Sequence, residues 1–147
     1  MSAVLLISLG SLAFGCAAHP PAATTSPAGG GAEVSFAEQV ERGGKVYGDH
    51  CASCHGPGGE GNDKAPPVVG KDALPLAPRP GAKRDVEFHT AADVYGWVKA
   101  HMPGDAPGSL TDEEYVNVLA FDLKANGVDL SPGHLDAARA QTLVLHP

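Results

Sequence analysis

Apolar side chains recur with helical spacing in three stretches of the chain. Phe36, Val40, Gly43/Gly44 and Tyr47 fall on one helical face. Ser35-Phe36-Ala37-Glu38 ahead of them reads as a capping box, hydroxyl and carboxylate each satisfying an unpaired N–H. A second pattern runs from Thr90 to His101, with Val94, Trp97, Val98 and His101 at i, i+3, i+4 and i+7, and Pro103 stops it. In the third, Thr111-Asp112-Glu113-Glu114 is again a capping box, Val116, Leu119, Ala120 and Leu123 form the stripe, and Asn126-Gly127 supplies the C-cap. No stretch alternates convincingly over four or more residues, so the expected class is all-α without a sheet.

Two features of this pattern ask for an explanation. Gly43 and Gly44 inside a helix each cost about 1 kcal/mol against alanine, which is reasonable only if another helix crosses closely there. Segment 56–89, between the first two helices, holds six of the 13 prolines. A loop of that length is unusual in a small domain unless it wraps something that supplies the missing core.

The ends of the chain read differently. Ala3 to Phe14 is nearly all apolar and no charge occurs before Glu33, which suits the apolar core of a secretory signal over 1–15, although Met1-Ser2 lacks its usual basic start. Cys16, in Leu12-Ala13-Phe14-Gly15-Cys16, resembles the lipidated cysteine of a bacterial lipobox, with Phe14 bulkier than usual. Residues 16–33 then form a lipidated cysteine and a flexible linker, because their Ala, Pro, Thr and Gly residues have no large apolar surface to bury. A domain over 34–130 follows, and 131–147 is a tail packed on that domain or serving as interface.

Composition narrows the classes. The 147 residues suit one domain, and 5% aromatics predict a small core. A formal charge of −7 disfavours electrostatic binding to nucleic acid. No apolar run approaches the ~20 residues of a membrane-spanning helix. Three cysteines cannot all pair in disulfides.

Cys51-Ala52-Ser53-Cys54-His55 is a C-x-x-C-H sequence, the attachment signature of c-type haem. Two thiols three residues apart can add to the two vinyl groups of a porphyrin, and the histidine that follows can ligate the iron. Haem is a large apolar plate, so it also answers the long loop and the shortage of aromatics. Three rivals use the same residues. A thioredoxin-like site needs a βαβ context, zinc needs further clustered ligands, and a Cys51–Cys54 disulfide is the plain reading in an exported chain. On the haem reading the cysteines are accounted for, two by haem and one by lipid.

With this motif in place, the chain resembles the class I cytochrome c family over most of residues 36–130. Gly43-Gly44-Lys45-Val46-Tyr47 is similar to the family's first-helix glycine and aromatic, and Phe121 to the aromatic that crosses them. Pro66-Pro67-Val68-Val69-Gly70 resembles the family's Pro-x-Leu-x-Gly, with Val68 in place of leucine. The resemblance implies a cytochrome c fold of three main helices around one covalent haem. It also implies that the Pro66 carbonyl accepts from the ring N–H of His55, in a register fixed to within one residue by the neighbouring Pro67.

His101-Met102-Pro103-Gly104 looks like the family's Met-Pro element, which makes Met102 the sixth ligand beside His55. His101 is its competitor, and bis-His ligation would lower the reduction potential. By the same resemblance Tyr95 and Trp97 are candidate donors to a haem propionate, with simple packing the alternative for each. Lys71, Arg79, Lys83 and Arg84 in the long loop would balance propionates, dock an acidic partner or simply be solvated. Elsewhere the domain is acidic, which favours a basic partner.

The expected function is single-electron transfer by a membrane-tethered c-type cytochrome on the periplasmic side, shuttling between redox protein partners such as a membrane electron-transfer complex or a terminal oxidase or reductase. No residues are placed for acid–base or nucleophilic catalysis, so the expectation is a carrier and not an enzyme. Two alternatives stand beside it. One is a non-catalytic haem subunit of a larger oxidoreductase, such as a dehydrogenase or a sulfur-oxidising complex. The other is a peroxidase or sensor with a labile sixth ligand.

Overall fold

Each main helix starts where a hydroxyl and a carboxylate can exchange hydrogen bonds with the first turn. The computed structural model describes residues 33–147. In it α1 (Phe36–His50), α3 (Ala91–His101) and α4 (Asp112–Ala125) open on Ser35/Glu38, Thr90/Asp93 and Thr111/Glu114. All three pairs are complete capping boxes, so aspartate closes the box of α3 as glutamate does elsewhere. A four-residue α2 (Ala52–His55) carries the end of the C-x-x-C-H sequence, and a short α5 (Ala137–Thr142) lies in the tail. Among the described residues no strand forms, the only bridge being an isolated antiparallel one between Thr90 and Val144. Nor is any described helix long and apolar enough to cross a membrane.

The glycine pair is explained by the crossing of α1 and α4. A Cβ on Gly43 would lie 1.9 Å from the Asn117 carbonyl oxygen, and one on Gly44 would touch the Phe121 ring at 3.4 Å. Tyr47 continues the contact, its ring centroid 5.1 Å from that of Phe121. Removing two side chains lets the helix backbones touch, and the packing gained offsets the low helix propensity. Around this crossing Phe36, Phe88, Ala91, Val94, Leu119, Ala120 and Leu123 form the core. Helix α4 is buried more widely than its predicted stripe, since Tyr115, Asn117 and Val118 are also buried.

Residues 131–147 join the same core. Leu135 and Ala140 are buried in it. The buried Gln39 amide donates to the Leu135 carbonyl at 2.9 Å, while the Leu135 N–H donates to Gln39 Oε1 at 2.7 Å. Farther on, the Ala91 N–H donates to the Leu143 carbonyl at 3.0 Å and the Leu145 N–H to the His89 carbonyl at 2.9 Å.

The long loop has an internal support of its own. Arg84 is buried and donates to the carbonyls of Pro75, Leu76 and Val86 at 2.7, 3.0 and 2.9 Å. Its guanidinium lies 3.9 Å from the centre of the Phe88 ring. That arginine is thus a peg for loop carbonyls, and the expectation of a solvated or docking side chain does not hold for it. Arg79 donates to the Asp72 carbonyl in the same loop, while Lys71 pairs with Asp72 on the surface.

Candidate haem site

Helix α1 ends by handing its last turn to the cysteine motif. The Cys51 N–H donates to the Tyr47 carbonyl at 2.9 Å, and the Tyr47 hydroxyl reaches forward to the Gly56 carbonyl at 2.7 Å. Both thiols are free, Cys51 half-buried and Cys54 exposed, so the plain disulfide reading is not what the structure shows. Burial, helped by the negative charges available to Asp122 and Cys54, pushes the Cys51 thiol up to about 11. At neutral pH this sulfur is therefore a neutral thiol.

His55 is buried at 9% exposure. Its Nδ1–H donates to the Pro66 carbonyl at 2.7 Å. A carbonyl can only accept, so the proton sits on Nδ1 and the lone pair of the neutral ring is on Nε2, the nitrogen left for a metal. The contact also settles the register of the two prolines in favour of Pro66.

A short loop brings Pro66 to that position. Gly59 and Gly61 take positive φ, 79° and 78°, which a side chain would strain. The Gly61 N–H donates to the His55 carbonyl at 2.7 Å, and the N–H groups of Val68 and Val69 both reach the Gly59 carbonyl, at 2.8 and 2.9 Å. Asn126, at the end of α4, then clamps the far side. Its amide donates to the Val68 carbonyl at 2.8 Å and its side-chain oxygen accepts from the Gly70 N–H at 3.0 Å.

In a separate segment, Met102 is the C-cap of α3, half-buried, with its N–H on the Val98 carbonyl at 2.8 Å. The buried Tyr115 donates its hydroxyl to the Met102 carbonyl at 2.7 Å. His101 does not continue the buried face of α3. It is exposed, its Nδ1–H donates to the Trp97 carbonyl at 2.8 Å, and its ring lies flat on Trp97 with centroids 4.7 Å apart. Helical periodicity puts it on the Val94 side, but the Trp97 carbonyl and indole hold the ring at the surface.

Trp97 is half-buried, and its Nε1–H is buried with no acceptor. Such a donor is costly without a partner. Tyr95 is half-buried against the core, with Lys99 Nζ 5.9 Å from its ring centre. Cys16 lies outside the described residues.

These features fit a c-type haem. The chain presents two free thiols, a buried histidine with one tautomer fixed by a carbonyl, and an indole N–H that lacks the acceptor a propionate would provide. Among the described residues no three His, Cys, Asp or Glu side chains gather as an alternative metal site, which removes the basis for the zinc reading.

Comparison with known proteins agrees. The family model for cytochrome c oxidase, cbb3-type, subunit III matches residues 38–121. The chain belongs to this family of c-type cytochrome domains. As such it binds haem c covalently and serves electron transfer. Among solved structures it is similar to the sulfane dehydrogenase SoxCD from Paracoccus pantotrophus. The identity is 30% and the TM-score 0.55, over 71% of this chain and 52% of that one. It thus spans about half the length of that relative. It also matches the thiosulfate dehydrogenase TsdBA from Marichromatium purpuratum at 31% identity and TM-score 0.43, over 56% of this chain and 17% of that one. No curated protein sequence matches the chain.

Several participants escape the sequence reading. Tyr115 and Asn126 act through single bonds to backbone groups of distant segments, and Arg84 looks like any loop cation until its carbonyl partners are known. For Asn126 one signal existed, its place as a helix C-cap.

Proposed function

We propose that this c-type cytochrome is a single-electron carrier that is not itself catalytic, tethered on the periplasmic side of a membrane through lipid on Cys16. The observation that supports the carrier reading best is the His55–Pro66 hydrogen bond beside two free thiols. It fixes the tautomer and orientation of the ring that would offer Nε2 to iron. Bound haem c supplies an iron that cycles between ferric and ferrous. Cys51 and Cys54 hold the group covalently, and His55 offers Nε2 from a buried position that keeps water away. Met102 offers its thioether from a backbone fixed by Tyr115. Trp97 would offer its buried indole N–H to a propionate. With both candidate ligands held by the fold, little would have to move on electron transfer.

The apolar run before Cys16 and the linker up to residue 33 favour the exported, tethered arrangement. Redox proteins are the partners. The likeness to the sulfane dehydrogenase favours a second reading, in which this domain relays electrons as the haem subunit of a larger oxidoreductase. Titration of the reduced holoprotein with CO tests the carrier reading. A carrier with both axial positions filled resists CO, whereas ready binding would establish an open site and a sensor or peroxidase role. Copurification of a catalytic subunit in stable complex would establish the subunit reading.

A further inference from the structure

One ionisable group beside the haem attachment has no partner. Asp122 follows Phe121 on α4, and its Oδ1 is buried without a hydrogen-bond donor. The groups around it give no compensation. On the α1 side its charge acts on Tyr47, whose hydroxyl is already donated to the Gly56 carbonyl and whose ring lies against that of Phe121, and on Cys51 at the helix end. Behind these stand Cys54 and Glu60, which become negative when ionised. On α4 itself Lys124 pairs with Asp129, and from α3 Lys99 pairs with Asp112 at the first residue of α4. Among the described residues no Lys, Arg or His forms an ion pair with Asp122. Burial raises its carboxyl to about 8, and its charge in turn helps raise both Cys51 and Tyr47.

A carboxyl oxygen buried without a donor is costly, and such an atom calls for an explanation. We propose that Asp122 is a proton acceptor coupled to electron uptake at the haem held by Cys51. This rests on the reading of Cys51 and Cys54 as the attachment points. A bound haem that gained an electron would add negative charge near a carboxyl with one oxygen shut off from water, which would favour the neutral form. The balance is one electron from the redox partner and one proton from water, with an O–H bond formed at Asp122. Oxidation returns both, and no bond to the haem changes. Because the reduced state raises the affinity of Asp122 for a proton, the reduction potential falls as pH rises between the Asp122 pKa of the oxidised state and that of the reduced state.

The test is the midpoint potential of the holoprotein from about pH 6 to about pH 10, a range that brackets this titration, for the parent and Asp122→Asn. The parent should show a slope approaching about 59 mV per pH unit, one proton per electron, and the variant should be flat. A parent potential independent of pH would overturn the proposal. So would a slope that survives in the variant, since the proton would then reside elsewhere, for example on a propionate. Should the variant fail to accumulate, infrared difference spectra of the parent with isotope-labelled aspartate decide. A labelled protonated-carboxyl band must grow on reduction, and its absence overturns the proposal. A chain lacking the spectrum of a thioether-bound haem would instead defeat the attachment reading, a distinguishable result.

Discussion

The segments that carry the two candidate ligands, the His55 arm and the Met102 arm, are braced very differently. On the His55 side, the histidine, Pro66, Gly59, Gly61, Val68 and Asn126 are tied by reciprocal bonds, some local and some reaching 58 residues along the chain. Met102, by contrast, ends a helix and is held from outside that helix chiefly by the Tyr115 hydroxyl. Its neighbour His101 is turned out to solvent. One candidate ligand is thus set by many constraints and the other by few.

Both arms hang from the α1–α4 crossing, so its disruption should have the largest effect. Gly43→Ala drives a methyl into the Asn117 carbonyl and should cost about 3 kcal/mol in denaturant unfolding of the holoprotein. An unchanged midpoint would mean the helices can separate freely. On the His55 side, Asn126→Ala leaves the Val68 carbonyl and Gly70 N–H without their partner and should cost about 2 kcal/mol. The CO resistance of the reduced protein should stay intact, because the other bonds around Pro66 remain.

Tyr115→Phe is the matching change on the Met102 side. It removes one hydrogen bond, costing about 1 kcal/mol, yet should make the reduced protein bind CO measurably faster than Asn126→Ala does. If the two variants ranked the other way in CO binding, the asymmetry between the arms would be false. The smallest effect belongs to His101→Ala. An exposed ring stacked on Trp97 should contribute within about 0.5 kcal/mol, with the haem spectrum unaltered. A changed spectrum would return His101 to the ligand set.

Legibility in the sequence follows the same division. Cys51, Cys54 and His55 are contiguous, and Pro66 lies close behind them, so local spacing carries most of the His55 side. The three main helices were readable from periodicity and from capping pairs that depend on residues three apart. Where sequence reasoning faltered, the deciding contact was distant or terminal. His101 obeys the helical period but lies in the last turn, where neighbours no longer enforce it. Arg84 finds its partners only once the long loop closes on them. Asp122 lies outside the predicted stripe of α4, yet its Oδ1 is buried. In the tail, Leu135 is fixed by Gln39, 96 residues earlier, a pairing that no local pattern announces.

The most direct test of the account is the absorption spectrum of ferric holoprotein recorded beside the Met102→Ala variant. Ligation by His55 and Met102 predicts a far-red sulfur-to-iron charge-transfer band in the parent that is lost in the variant. A parent without that band, or a variant that keeps it, would contradict the assignment of Met102 as the sixth ligand and with it the two-armed site described above.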